Sequence, residues 1–216
     1  MAASKTTTSS ALLLLVALMA ALLLGESVAR KYVLLRGPVY VMEDDVVAPS
    51  KAAMHARQLV HENEWTTMAT ISVQYKGAPY NNVVSYSDGI GKEAEGSTGE
   101  LFFYLTSMDA TGADLAANPS ASIAISQAQL GRSVCKKDVE DPTCWKLTIS
   151  GKVVPVAADK LEFAKKALFS RHPEMEYWPS GHNFVVYTLE IEHIVLLDYY
   201  GGAKLIPADE YYSVKL

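Results

Sequence analysis

Two cysteines, Cys135 and Cys144, are the side chains of this sequence with the greatest potential for redox chemistry or metal binding. Eight residues separate them, which is not the spacing of a C-x-x-C redox motif, and no histidine lies between them to extend a metal site. Two interpretations stay open: a redox or metal pair, or a local disulfide that closes a loop between two strands. We favour the disulfide, which is worth about 2–3 kcal/mol on the chain-entropy model.

The histidines do not show the spacing of a zinc site. His55 and His61 are six residues apart on a predicted helix, so they lie on different faces and cannot chelate one metal together. We therefore expect no metal site. The five histidines are His55, His61, His172, His182 and His193.

Other catalytic motifs are missing from the sequence. It contains no G-x-S-x-G elbow and no Walker loop, and Gly89-Ile90-Gly91 is only a short G-x-G in a polar stretch. The acidic run Glu43-Asp44-Asp45 suits either a bound cation or a solvated arm, and we favour the arm. The residues alone predict no catalytic centre.

Three helices are predicted, each beginning at a polar residue that can cap its first turn. Asp159 and Glu162 have the spacing of a capping box. The predicted helices run from Ser50 to about Glu62, from Asp109 to Asn118, and from Asp159 to Arg171.

Alternating apolar residues predict at least six strands. In the first, Ala69, Ile71, Val73 and Tyr75 alternate with polar residues. The sequence thus indicates a mainly β fold with peripheral helices (α+β), built as a closed or partly closed antiparallel barrel. The predicted strands are 65–75, 82–87, 101–105, 121–127, 145–156, 184–190 and 194–198, with a mobile loop at 89–99.

The first 29 residues are typical of a secretory signal peptide. Ala11–Leu24 is an unbroken apolar run of 14 residues, too short for a transmembrane helix, which needs about 20. Small residues at 27–29 suit signal peptidase, although an uncleaved anchor is the alternative. We expect an N-terminal arm at 30–48 and one domain at 49–216.

The charge balance excludes some partners. A net charge of −5 argues against a nucleic-acid-binding protein and against adhesion to an anionic membrane. No later stretch is long and apolar enough to predict stable membrane insertion. No asparagine has the N-x-[ST] sequence of a glycan acceptor.

From about Ser50 onward, the sequence resembles the CREG (cellular repressor) family of secreted glycoproteins. An ordered series of motifs carries the resemblance, the most specific being ALFSRHPEMEYWPSGHNF at 167–184. The others are WTTMATIS at 65–72, SYSDG at 85–89, FYLT at 103–106, DLAANPSAS at 114–122, CKK and DPTC at 135–144, LTISGK at 147–152 and LDYYGGAK at 197–204.

The resemblance implies a homodimeric split β-barrel similar to that of pyridoxamine 5′-phosphate oxidase. Enzymes of that class hold FMN at the dimer interface, with basic side chains on its phosphate. The enzyme pattern F-Y-T-N-x-x-S-R-K-G-x-E-L fits Phe103 to Leu115 without a gap. It places Asp109 at the serine, and Ala110 and Thr111 at the basic pair.

The hairpin arginine of the enzymes falls near Asn81 and the following lysine near Tyr86, on a looser alignment. None of these five positions is basic in this chain. A phosphate dianion needs charge-assisted donors, each contributing roughly 1.5–3 kcal/mol. We therefore expect a degenerate site that does not hold FMN tightly, and no other cofactor.

The resemblance favours a non-enzymatic protein of the extracellular space or of the lysosomal or vacuolar lumen. It would act through contacts with an unidentified protein partner or receptor. The alternative is an FMN-dependent oxidoreductase that binds its cofactor through other contacts. Tyr199-Tyr200, Tyr211-Tyr212 and Trp178-Pro179 suit dimer or partner contacts, although ordinary packing explains each equally well.

Overall fold

The computed structural model describes residues 49–216. The predicted signal peptide, the arm and its acidic run therefore lie outside the described residues. Helix α1 begins after Ser50, whose hydroxyl accepts a hydrogen bond from the Ala53 amide at 3.2 Å, as predicted. Its inner face of Ala53, Ala56 and Val60 is fully buried. The α-helices are α1 (Lys51–Glu62), α2 (Ala110–Ala117), α3 (Leu161–Arg171) and α4 (Ala208–Ser213).

Eight strands form one antiparallel sheet that curves into a half-barrel around α1. Its order is β2-β1-β5-β6-β7-β4-β3, and β8 pairs with β7. The strands are β1 (Trp65–Ile71), β2 (Pro79–Ser85), β3 (Ser87–Gly89), β4 (Ser97–Leu105), β5 (Ser120–Ser126), β6 (Lys146–Pro155), β7 (Val185–Leu197) and β8 (Lys204–Ile206).

The alternating apolar residues that predicted β1 are not its buried side. Thr66, Met68 and Thr70 point into the core, whereas Ile71 is 40% exposed. The two threonines are buried without penalty because their hydroxyls donate to the Ala124 carbonyl at 2.9 Å and to Asp114 at 2.8 Å. The strand also ends at Ile71, so Val73 and Tyr75 lie in the following turn.

The last two predicted strands are a single strand, β7, with a bulge. Its pairing with β6 moves from Ser150 opposite His193 to Gly151 opposite Ile191, which leaves Glu192 as the extra residue. Gly151 permits this, because a Cβ at that position would lie 2.0 Å from the Glu190 carbonyl oxygen. Leu147, Ile149, Gly151 and Val153 share the buried side of β6.

Two smaller predictions also need correction. Helix α3 begins at Leu161 without a side-chain cap, and Glu162 instead pairs with Lys165 at 3.5 Å. The predicted 89–99 loop contains a short 3-10 helix at Ala94–Gly96, and β4 already begins at Ser97. Within residues 49–216, no helix is long and apolar enough to cross a membrane.

Two hydrophobic clusters hold these elements together. The larger fills the half-barrel between the sheet, α1 and the C-terminal helix α4, with Leu59 and Tyr211 fully buried. The smaller packs Ala164 and Leu168 of α3 against Phe102 and Val186 on the other side of the sheet.

Candidate functional site

The first turn of α2 holds three of the positions that the alignment assigned to a degenerate phosphate site, Asp109, Ala110 and Thr111. Asp109 is its N-cap, and the carboxylate accepts a hydrogen bond from the Thr111 amide at 3.1 Å. The positive end of the helix therefore already carries an anion from its own chain. Ala110 and Thr111 follow without a basic side chain, as aligned.

Asn82, which the sequence did not single out, is the hairpin residue that reaches this turn. Its side-chain amide donates to the Thr111 hydroxyl at 3.0 Å and lies 3.3 Å from the Asp109 carboxylate. Asn81 is exposed on the opposite face of β2, opposite Ala69 of β1. The structure thus brings Asp109, Thr111 and Asn82 together and leaves Asn81 apart.

Tyr86 does not join this cluster. Its ring is fully buried, and its hydroxyl donates to the Val60 carbonyl at 2.6 Å. Burial, together with the nearby Asp88 carboxylate, raises the pKa of Tyr86 well above its ordinary value. The side chain therefore braces α1 from inside the half-barrel and does not face a ligand.

These residues do not fit the phosphate of a flavin. Asn82 and Thr111 supply neutral donors, whereas the single charged group in the cluster, Asp109, has the same sign as a phosphate. An incoming dianion would have to displace or face that carboxylate at the end of the helix.

A second polar cluster lies in the interior, around the fully buried Asp88. Arg171 of α3 contacts its carboxylate at 2.8 Å, and His61 Nδ1 lies 3.2 Å from both carboxylate oxygens. The Ser97 hydroxyl also donates to Asp88 and accepts from Arg57 at 3.0 Å. One carboxylate thus links four elements, and no sequence motif pointed to it.

Burial alone would raise the pKa of Asp88, but the His61 and Ser97 hydrogen bonds and the Arg171 charge outweigh burial and lower it. Arg57 is also buried, and its guanidinium donates to the Val214 carbonyl at 2.8 Å. The Asp88 carboxylate is inaccessible to a substrate, so the role of the cluster is to stabilise the fold.

The histidines are distributed among separate contacts. His55 Nδ1 pairs with Asp198 at 2.8 Å, and His172 Nε2 donates to the Tyr86 carbonyl at 2.9 Å. Within the described part of the chain, no three His, Cys, Asp or Glu side chains converge as a metal site would require.

Cys135 and Cys144 form the predicted disulfide, with Cα atoms 5.4 Å apart. Both are almost completely buried, at 5% and 1% exposure. The bridge closes the base of the loop between β5 and β6 and offers no reactive thiol.

The aromatic residues proposed as contacts differ in their exposure. Tyr211 is fully buried and donates to the Gly99 carbonyl, so it is part of the core. Tyr199 and Tyr200 are exposed. Trp178 is partly covered by Tyr104 and Phe184, whose ring centroids lie 5.9 and 4.8 Å away.

The middle of the side of β2, β1, β5 and β6 that points away from the core is uncharged, and it lies between Lys146 and Lys152 on the same side of β6. We call it the outer face. Strand register places its members opposite one another, and Val83 is 62% exposed. It extends along β1 to Trp65 and Ile71, at 41% and 40% exposure. The outer face consists of Val83, Asn81, Thr67, Ala69, Ser122, Ala124, Thr148 and Ser150.

Comparisons with known proteins agree with this fold. The family described as "CREG, beta-barrel" matches residues 48–213. The chain is 41% identical over 172 residues to the protein CREG1 of Gallus gallus, covering 77% of this chain and 88% of that protein.

Two solved structures share the half-barrel. A heme-binding protein from Mycobacterium smegmatis superposes with a TM-score of 0.62 at 23% identity, over 78% of this chain and 62% of that one. A Clostridium acetobutylicum protein of the pyridoxinephosphate oxidase family gives a TM-score of 0.51 at 13% identity, over 77% and 100%. At such identities these structures establish the fold alone, and the expected FMN-binding split-barrel fold is confirmed.

Proposed function

Because the chain belongs to the CREG family, we propose that it is a non-enzymatic homodimer of the secretory pathway that acts through contacts with another protein. It works outside the cell or in the lysosomal or vacuolar lumen. Its barrel keeps the framework of a flavin protein with a degenerate FMN site.

One observation carries the non-enzymatic part of the proposal. The N-terminus of α2 is capped by the chain's own Asp109, and the aligned basic pair is Ala110 and Thr111. A carboxylate in this position repels a phosphate, and no cation at 110 or 111 compensates for it. Without a held flavin the barrel has no redox group.

FMN is expected to bind at least about a hundredfold more weakly than to a barrel with an intact clamp. Two lost charge-assisted hydrogen bonds at roughly 1.5 kcal/mol each account for that factor. Quenching of flavin fluorescence during titration measures the affinity. The triple variant Asp109→Ser, Ala110→Arg, Thr111→Lys should bind FMN at least tenfold more tightly than the unmodified chain.

The control for this titration adds the same charges to the far end of α2. Ala116 and Ala117 are exposed, so Ala116→Arg with Ala117→Lys should leave the FMN affinity unchanged. A purified, unmodified protein that is yellow and keeps stoichiometric FMN through gel filtration would instead favour the flavin-dependent oxidoreductase.

The homodimer is supported by the outer face. Its eight residues carry no formal charge, and charge depletion with exposed apolar groups is typical of the centre of an interface. Two copies can therefore meet there without like-charge repulsion.

The compartment is tested with the full chain carrying a C-terminal tag. If residues 1–29 are a cleaved signal peptide, the tagged protein should enter the endomembrane system and start near Arg30 by N-terminal sequencing. Deleting residues 2–29 should leave the protein in the cytosol. Nuclear accumulation of the undeleted chain with an intact N-terminus would contradict the proposal and favour a transcriptional role.

A further inference from the structure

The turn at residues 72–78, between β1 and β2, exposes apolar side chains on a backbone closed by hydrogen bonds. Val73 and Tyr75 are each 56% exposed. The turn is closed by hydrogen bonds from the Ser72 amide to the Ala78 carbonyl at 2.9 Å and from the Gly77 amide to the Ser72 carbonyl at 2.7 Å. Apolar groups are thus held in water by a defined structure.

A buried carboxylate on α2 fixes this turn from behind. Asp114 is 2% exposed, and it accepts hydrogen bonds from the Val73 amide and the Thr70 hydroxyl, both at 2.8 Å. It takes part in none of the ion pairs found among residues 49–216.

Both features are unfavourable in an isolated chain. Burying a carboxylate without a cation costs solvation free energy. The exposed Val73 and Tyr75 side chains contribute no hydrophobic stabilisation, because they are not buried against the core of their own chain. The cost is offset if the fixed turn meets a partner surface, because a preorganised contact loses little entropy on binding.

The second copy of this chain is the partner that the position of the turn favours. The turn continues directly from Ile71, which lies at the end of the apolar extension of the outer face. Its single charged residue is Lys76. A surface that joins the uncharged middle of the sheet to an apolar turn closed by hydrogen bonds suits contact between copies.

We propose that residues 72–78 form a main contact of the homodimer, with Asp114 as the positioning residue that sets the turn for it. This inference rests on the homodimer of the proposed function. It adds that residues 72–78 dominate the contact and that the buried Asp114 holds them in position.

The test is sedimentation equilibrium of the full chain, as processed and secreted by the host cell, from 1 to 100 µM. The double variant Val73→Thr, Tyr75→Thr should raise the dimer dissociation constant at least tenfold and leave the urea midpoint unchanged. Val139→Thr with Tyr177→Thr is the matched control, because Val139 and Tyr177 are 53% and 82% exposed and neither is a candidate contact residue. It should change the constant less than twofold.

Asp114→Asn provides a second readout, since asparagine offers one acceptor oxygen in place of two. Hydrogen exchange of the Val73 amide should become faster, and the dimer should weaken at least threefold while the chain stays folded. Exchange or association equal to that of the unmodified chain would contradict the role of Asp114.

The remaining outcomes separate the two proposals. An unmodified chain that is monomeric at 100 µM overturns both the homodimer and this inference. An unmodified dimer that the Val73/Tyr75 variant leaves intact, or that the control variant dissociates equally, overturns this inference and leaves the homodimer standing.

Discussion

Replacing Asp88 with alanine is expected to lower the free energy of unfolding by about 3–5 kcal/mol. The reason is that Asp88 is the buried carboxylate that contacts Arg171 directly and Arg57 through Ser97. Without it, two guanidinium groups remain in the interior with neutral partners only. Because the free energy of unfolding of a domain of this size is about 5–15 kcal/mol, the substitution removes a large share of it. Urea denaturation followed by tryptophan fluorescence measures it.

An exposed ion pair is the control for this variant. Glu162 pairs with Lys165 at 3.5 Å, with side chains 87% and 40% exposed. Glu162→Gln should change the free energy of unfolding by less than about 1 kcal/mol. Equal effects of the two substitutions would show that the interior cluster is not what stabilises the fold.

The pH dependence of the same cluster has a defined sign. The pKa of Asp88 is lower in the folded chain than its ordinary value, so the contribution of the group is fully present above about pH 4, the unfolded value. It is lost as the pH falls further, through the folded value. The stability difference between Asp88→Ala and the unmodified chain should therefore be constant from pH 7 to 5 and shrink below pH 4.

Gly112→Ala is expected to destabilise the fold by about 3 kcal/mol, although alanine is the better helix former by about 1 kcal/mol. A Cβ at Gly112 would lie 2.1 Å from the Thr106 carbonyl oxygen and 2.6 Å from its carbon. Both are backbone atoms, so α2 would have to move away from the end of β4. Thermal unfolding of the variant measures the cost.

Gly181 offers the matched substitution. A Cβ there has no atom within 4 Å, and Gly181→Ala should stay within about 0.5 kcal/mol of the unmodified chain. If Gly112→Ala were as stable as the unmodified chain, the close approach of α2 to Thr106 would be incorrect.

Local sequence signals predicted the parts of this fold that depend on neighbouring residues. Ser50 and Asp109 cap their helices as expected, since each acts on an amide two or three residues away. The inward threonines of β1 were missed because their partners, Ala124 and Asp114, lie 58 and 44 residues along the chain. The alternation of side chains along a strand shows which residues are polar. It does not show whether a distant group accepts a hydrogen bond from a threonine hydroxyl.

The alignment put the candidate positions in the first turn of α2 and near Asn81 of the hairpin, and in the structure the hairpin residue that reaches this turn is Asn82. In a strand a shift of one residue reverses the face, so a loose alignment cannot select between these two asparagines. Asp88 and Asp114 gave no signal, since an isolated aspartate in sequence looks the same whether it is buried or solvated.

The contacts of Arg57 also bear on when this domain can complete its folding during synthesis. Arg57 belongs to the first described helix, yet it donates to the carbonyls of Tyr211 and Val214, 154 and 157 residues later. Until those last residues leave the ribosome, the guanidinium lacks these two acceptors and α1 lacks its C-terminal cover. Until then the half-barrel of the nascent chain stays uncovered at this end, and chaperones have their best access to it in that period.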